Sequence, residues 1–230
     1  MSARAEDARP TGAGDPAPIA ASGDLSGAIS ALITAGRRVG ARRLTWGTAG
    51  NISVRLDGSR FAISGSGCCL DELTPQTVVV CDGAGWEGDC RPSVETGMHR
   101  AIYAARPDVG AVLHASAFHT TLVACSDVEL EPAASTDTLY YLRRVARLPF
   151  LVPGSQELAT AVGRAAAEGH DVLLLSNHGS VACAPDLPTV VNVTEALELM
   201  CRMLVARSHG FPLLPIPEEL RADTLRRMDE

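Results

Sequence analysis

The chain contains no lysine: all 20 of its basic residues are arginines. That absence excludes a lysine Schiff base, and with it a class I aldolase or an ordinary pyridoxal-phosphate enzyme. It also excludes a Walker A loop, which needs its lysine. Any carbonyl activation must come from a metal, from hydrogen bonds or from arginine. Long apolar runs are missing too: none approaches the ~20 residues of a membrane span. Positive charge is not in excess. The net charge of −7 argues against a nucleic-acid or anionic-membrane surface, so neither is expected as a partner. No C-x-x-C pair occurs among the seven cysteines, Cys68, Cys69, Cys81, Cys90, Cys125, Cys183 and Cys201. An odd number without paired spacing reads as reduced thiols in a cytoplasmic protein, and Cys68 and Cys69, after a glycine-rich turn, read as small residues filling space, with reactive thiols as the alternative.

What is present fits one globular domain. At 230 residues, 46% hydrophobic and 20% charged, such a domain buries roughly 70% of its unfolded surface without needing disulfides. Residues 1–23 are rich in Ala, Gly and Pro and lack the apolar core of a signal peptide, so they read as a disordered leader. Residues 24–210 form the domain. Residues 211–230, proline-interrupted, read as a tail packing on the domain or on a neighbouring subunit. Within the domain the apolar spacing predicts helices over 24–43 (Asp24 as cap), 93–105 (Ser93 as cap), 116–125, 136–146, 156–168 and 188–208. Strands are predicted over 52–56, 60–64, 78–81, 109–114, 150–152, 172–175 and 180–184. Residues 70–73 read as one helical turn and residues 82–89 as a turn. The expectation is an α/β domain with a mixed sheet and helices on both faces.

Two of the apolar runs, DVGAVLHAS and DVLLLSNHGS, hand over to loops at His114 and His178. Ligands gather at strand ends in α/β folds. One such histidine reads as a core residue, but two at matching places point to a shared site, and imidazole is the commonest metal ligand. Glu95 and His99 are four residues apart on one helix face. Without a site, Glu95 reads as dipole compensation and His99 as a helix-surface or core histidine. The turns GTAGNIS and SGSG can present N–H groups to an anion. Gly50, Asn51, Ser66, Gly67 and Ser93 are the candidate phosphate cradle, although tight hairpins use the same residues.

In order, GTAGNISVR, ISGSG, RPSVETGMHRAIY, VLHAS and LLLSNHG resemble the signatures of the class II aldolase/adducin family, over roughly residues 24–208. The resemblance implies a three-layer α/β/α sandwich with a mixed, largely antiparallel central sheet. It also implies a homotetramer of C4 symmetry with active sites at subunit contacts. Family enzymes hold a divalent metal, commonly zinc, with three histidines. By position His114 and His178 match metal ligands and Glu95 matches the acid/base residue. Gly50, Asn51, Ser66, Gly67 and Ser93 match the phosphate cradle.

Two departures stand out. The family's H-x-H is here His114-Ala115-Ser116, so Ser116 takes the place of a ligand, and a hydroxyl substitutes poorly for imidazole. His119 is a candidate to swing in, and Glu95 with two imidazoles would give a 2-His-1-carboxylate set. Zn2+ is the first expectation, Fe2+ and Mn2+ are alternatives, and loss of a ligand weakens binding. The family's tyrosine proton donor aligns with Thr136, and Tyr140 lies one helical turn on. The function expected is a metal-dependent lyase, cleaving by retro-aldol reaction or decarboxylation, on a small, phosphorylated hydroxy-carbonyl compound. Alternatives are a non-catalytic adducin-like scaffold, a sugar-phosphate epimerase, or another diverged metal enzyme.

Overall fold

The computed structural model describes residues 25–83 and 85–230; the expected leader and the Asp24 cap lie outside them. Helix α1 (Leu25–Ala41) turns Ala28, Leu32, Ala35 and Val39 inward, the three-and-four spacing of one apolar stripe. A hairpin follows, β1 (Asn51–Asp57) and β2 (Arg60–Ser64), then β3 (Val78–Cys81) and β4 (Trp86–Glu87). After α2 (Thr96–Ala105), β5 (Ala111–Ala115) leads into α3 (Phe118–Ala124) and α4 (Thr136–Tyr141). The chain continues through β6 (Val145–Leu148), α5 (Gln156–Ala167), β7 (Val172–Leu175), β8 (Gly179–Ala184), α6 (Leu187–Ser208) and α7 (Glu218–Met228). Asp186 opens α6 by accepting the Thr189 N–H at 2.7 Å, which satisfies one of the free donors of its first turn.

The strands form one sheet in the order β4-β3-β2-β1-β5-β8-β7-β6. Every neighbouring pair is antiparallel except β6 with β7, giving the mixed, largely antiparallel sheet. Alternating side chains face opposite sides and feed two cores. Leu113 and Leu174 join Leu32, Val190 and Leu197 on the face covered by α1 and α6. Val112 and Leu173 join Met98, Ile102, Leu158 and Val162 on the face covered by α2 and α5. Each large apolar side chain so buried stabilises the fold by roughly 1.5–3 kcal/mol. The result is a three-layer α/β/α sandwich.

Four local expectations are corrected. The helix predicted over 136–146 stops at Tyr141, and residues 145–148 become β6, paired with β7; an open sheet edge overrides local periodicity. The strand predicted over 150–152 does not form. Pro149 and Pro153 flank it, and a residue without an N–H cannot extend the ladder. The helix predicted from Ser93 begins only at Thr96, with Glu95 at its N-cap. The turn over 82–89 contains a two-residue strand, β4. At the C-terminus, α7 meets the α4 region through Arg143 and Asp229, 2.6 Å apart, and Ile216 N–H donates to the Ala133 carbonyl.

Candidate metal centre and active site

Strand register assembles the site at one end of the sheet. Asn51 on β1 lies opposite His114 on β5, and His114 lies opposite Val181 on β8. The β7–β8 turn carries His178. Asn177 adopts a left-handed φ of 56°, a conformation asparagine tolerates. Gly179 has a φ of +149°, and a Cβ there would fall 2.6 Å from the Ala115 carbonyl oxygen. The Asn-His-Gly order therefore follows from how tightly this turn packs on the end of β5. Gly50 is fixed in the same way: its φ is +87°, and a Cβ would sit 2.7 Å from the His114 carbonyl oxygen.

His114 Nε2 lies 3.1 Å from Glu95 Oε2, and His178 Nε2 lies 3.2 Å from Glu95 Oε1. The imidazole centroids are 4.7 Å apart. One ligand atom from each of Glu95, His114 and His178 falls within 4.8 Å of the other two, close to the ~4.2 Å span that two bonds of ~2.1 Å cover. His114 Nδ1 is 2.8 Å from the Ser180 carbonyl oxygen. A carbonyl only accepts, so Nδ1 carries the proton and, in the neutral ring, Nε2 presents a lone pair to the Glu95 carboxylate. Two acceptors at that distance repel unless a proton or a cation lies between them. Glu95 Oε1 and His178 Nδ1 are both buried without a hydrogen-bond partner. The donor set and its unsatisfied atoms fit a divalent cation.

Burial pushes the Glu95 carboxyl up, but the adjacent His114 and His178 outweigh it and hold the group well below the ordinary carboxylate range. Glu95 is thus ionised at neutral pH, the form in which a carboxylate binds metal or accepts a proton. Ser116 is buried and donates weakly to the His178 carbonyl at 3.5 Å. His119 does not join the cluster: its Nδ1 is 2.7 Å from Glu198 Oε1.

These groups line a cavity of about 240 Å³ with Gly50, Asn51, Ser66, Gly67 and Ser93 in its wall. The bridge between Gly65 and Pro92 brings the SGSG turn beside Ser93, so the whole candidate cradle faces the histidines. The Asn51 amide, however, is turned inward, with Nδ2 donating to Glu95 Oε2 at 3.3 Å and Oδ1 2.5 Å from His99 Nε2. His99 is the core histidine of the two readings open to it, and burial lowers its pKa to about 3. Val94 and Pro153 also line the cavity. Val94 sits inside the quoted PSVE segment, but nothing in the sequence ties the loop after β6 to the site. Thr136 and Tyr140 are not among the lining residues; Tyr140 packs against Tyr141 and lies under Arg143.

Comparison with known proteins places the chain in a family. Residues 30–205 match the family model described as Class II Aldolase and Adducin N-terminal domain. A 3-oxo-tetronate 4-phosphate decarboxylase of Haemophilus influenzae is 35% identical, with 73% of this chain and 81% of that protein covered. A 5-methylthioribulose-1-phosphate/5-deoxyribulose-1-phosphate aldolase of Rhodospirillum rubrum is 35% identical over 86% of this chain and 88% of its own. Among solved structures, an L-fuculose 1-phosphate aldolase superposes with a TM-score of 0.79 at 31% identity, covering 89% of this chain and 97% of that one. The chain belongs to the class II aldolase and adducin family.

Proposed function

We propose that this protein is a metal-dependent carbon–carbon lyase acting on a small phosphorylated hydroxy-carbonyl or oxo-acid compound, by retro-aldol cleavage or decarboxylation. The observation that carries the reading is the convergence of His114 and His178, 64 positions apart in the chain, on the ionised Glu95 inside one cavity. A divalent cation, Zn2+ first and Fe2+ or Mn2+ as alternatives, would polarise the substrate carbonyl and offset the negative charge that develops on its oxygen. His114 and His178 would hold it, with Glu95 completing the set at rest. Ser116 leaves the place of a third imidazole open. Glu95 then takes or returns the proton at the reacting carbon once substrate is bound. Gly50, Ser66, Gly67 and Ser93 receive the phosphate through N–H and hydroxyl groups, and the Asn51 side chain steadies Glu95.

Exposed Phe118, Leu122, Phe150 and Val152 support assembly into a homotetramer. In that assembly Tyr140 or Thr136 would serve a neighbouring subunit's cavity as proton donor. Seven unpaired cysteines support a cytoplasmic setting. The test is metal analysis of the purified protein, followed by assay with ketose 1-phosphates and phosphorylated 3-oxo acids. Aldehyde release identifies retro-aldol cleavage, and carbon dioxide release identifies decarboxylation. The expected result is close to one metal per chain, lost in His178→Ala together with turnover. Absence of metal binding at micromolar concentration, with no rise in melting temperature on adding either substrate class, overturns the proposal.

A further inference from the structure

We propose that His99 is a positioning residue for Glu95, acting through a one-way chain of hydrogen bonds that begins at Tyr103. The inference rests on the role proposed for Glu95 but is read from groups outside the cation site. Four contacts link five buried side chains. Tyr103 OH and Ser53 Oγ are 2.8 Å apart, and Ser53 Oγ and His99 Nδ1 are 2.7 Å apart. His99 Nε2 and Asn51 Oδ1 follow at 2.5 Å, then Asn51 Nδ2 and Glu95 Oε2 at 3.3 Å. Tyr103, Ser53, His99 and Asn51 are each 5% exposed or less, so water does not compete for these partners.

The direction of the chain follows from its last member. An ionised carboxylate only accepts, so Asn51 must present its NH2 to Glu95. Its carbonyl oxygen then faces His99, and Nε2 must carry the ring proton. A neutral ring leaves Nδ1 bare, so Ser53 donates to it, and the Ser53 oxygen accepts from Tyr103. Each group uses its donor toward Glu95 and its acceptor away from it. A flipped Asn51 would set a carbonyl against a carboxylate and leave the Nε2–H without an acceptor. The His99 tautomer therefore fixes the amide, and the amide fixes Glu95 Oε2, the oxygen that faces His114, while Oε1 faces His178. Arg55, whose guanidinium lies 4.6 Å from the Tyr103 ring centroid and donates to the Tyr103 carbonyl, anchors the start of the chain.

The tautomer is measured directly in the full-length protein by long-range proton–nitrogen correlation of the histidine rings. A protonated Nε2 with a bare Nδ1 on His99 is expected at neutral pH; an Nδ1–H or doubly protonated ring overturns the assignment. Zn2+ affinity, titrated against a chromophoric chelator, gives the second readout. His99→Phe is expected to weaken it about 10- to 100-fold and to lower kcat while KM stays. His99→Gln, which restores a donor toward Asn51, recovers part of both. Ser53→Ala and Tyr103→Phe lose a few-fold each, in that order, and judge the proposal if His99→Phe does not fold. Unchanged affinity and kcat in folded variants overturns the positioning role. Should the wild type bind no divalent cation and neither substrate class, the lyase proposal fails, and the His99 tautomer still decides whether the chain exists as described.

Discussion

Among the described residues two buried glutamates face histidines, Glu198 toward His119 and Glu95 toward His114 and His178, and they differ in how completely they are satisfied. At the first, Glu198 on α6 receives the His119 N–H, the His119 ring, the Thr120 N–H and the Thr120 hydroxyl, at 3.2, 2.7, 2.8 and 2.9 Å. Every partner belongs to the start of α3, so the carboxylate ties that helix to α6. At the second, Glu95 meets two imidazoles and one amide, yet Oε1 and the neighbouring His178 Nδ1 have no hydrogen-bond partner. The Glu198 pair is saturated and is not part of the cavity lining; the Glu95 pair is under-satisfied and open to it. A buried polar group left without partners is costly, so its retention points to a ligand that completes it. Residue type alone does not separate the two pairs, whereas the count of satisfied donors and acceptors does.

That contrast can be broken by mutation. Glu95→Gln should remove at least about 10³-fold of turnover while costing the fold less than Glu198→Ala does, as read by steady-state kinetics and urea denaturation. A large stability loss there would make the two pairs alike. Glu198→Ala should do the reverse. Four donors, two of them buried, lose their acceptor, costing about 3 kcal/mol of stability, while the stoichiometry of Zn2+ bound by the folded protein is unchanged.

The pH dependence sharpens the comparison further. His99 is held near 3 when folded against an ordinary 6.5. Between those values the unfolded chain binds the extra proton, so stability is complete above pH 6.5 and falls with acidification by at most about 1.4 kcal/mol per pH unit. In the window between 6.5 and about 5 the depressed Glu95 carboxyl does not contribute, because it adds its own loss of stability only below the ordinary 4.5. Urea midpoints measured across that window should flatten in His99→Gln. The smallest expected effect is at Ser116. Ser116→His should tighten Zn2+ binding by about 10-fold, about 1.4 kcal/mol, measured by chelator competition; no gain would place position 116 out of reach of the ion.

Much of this is legible in the sequence. The GTAGNIS, SGSG, PSVE and NHG segments pointed to the cavity wall because turns need those residues wherever backbone packs tightly, and Gly50 and Gly179 do so against the end of β5. The helix stripes of α1 and α5 announced themselves by period. Residues 126–153 resisted because the edge pairing of β6 with β7, and the exposed course of the loop after Pro149, depend on partners distant in sequence. His99 could be read as a core histidine, but its tie to Asn51 could not, since β1 and α2 meet only across the folded sheet. The NHG turn marked His178 locally, but only the fold removed His119 from the candidates, because Glu198, 79 residues beyond it, takes its ring.

By itself, then, the sequence determined the layer architecture, the family signatures, the exclusion of lysine chemistry and the ends of the strands that carry imidazoles. These are set by local chemistry: periodicity, turn geometry and the residue inventory. Tertiary structure alone decided which histidine is free to bind a cation, which way the Asn51 amide points, and which carboxylate is left incomplete. Those outcomes depend on hydrogen-bond partners supplied by distant segments, and a donor or acceptor is only free once every neighbour in three dimensions has been counted.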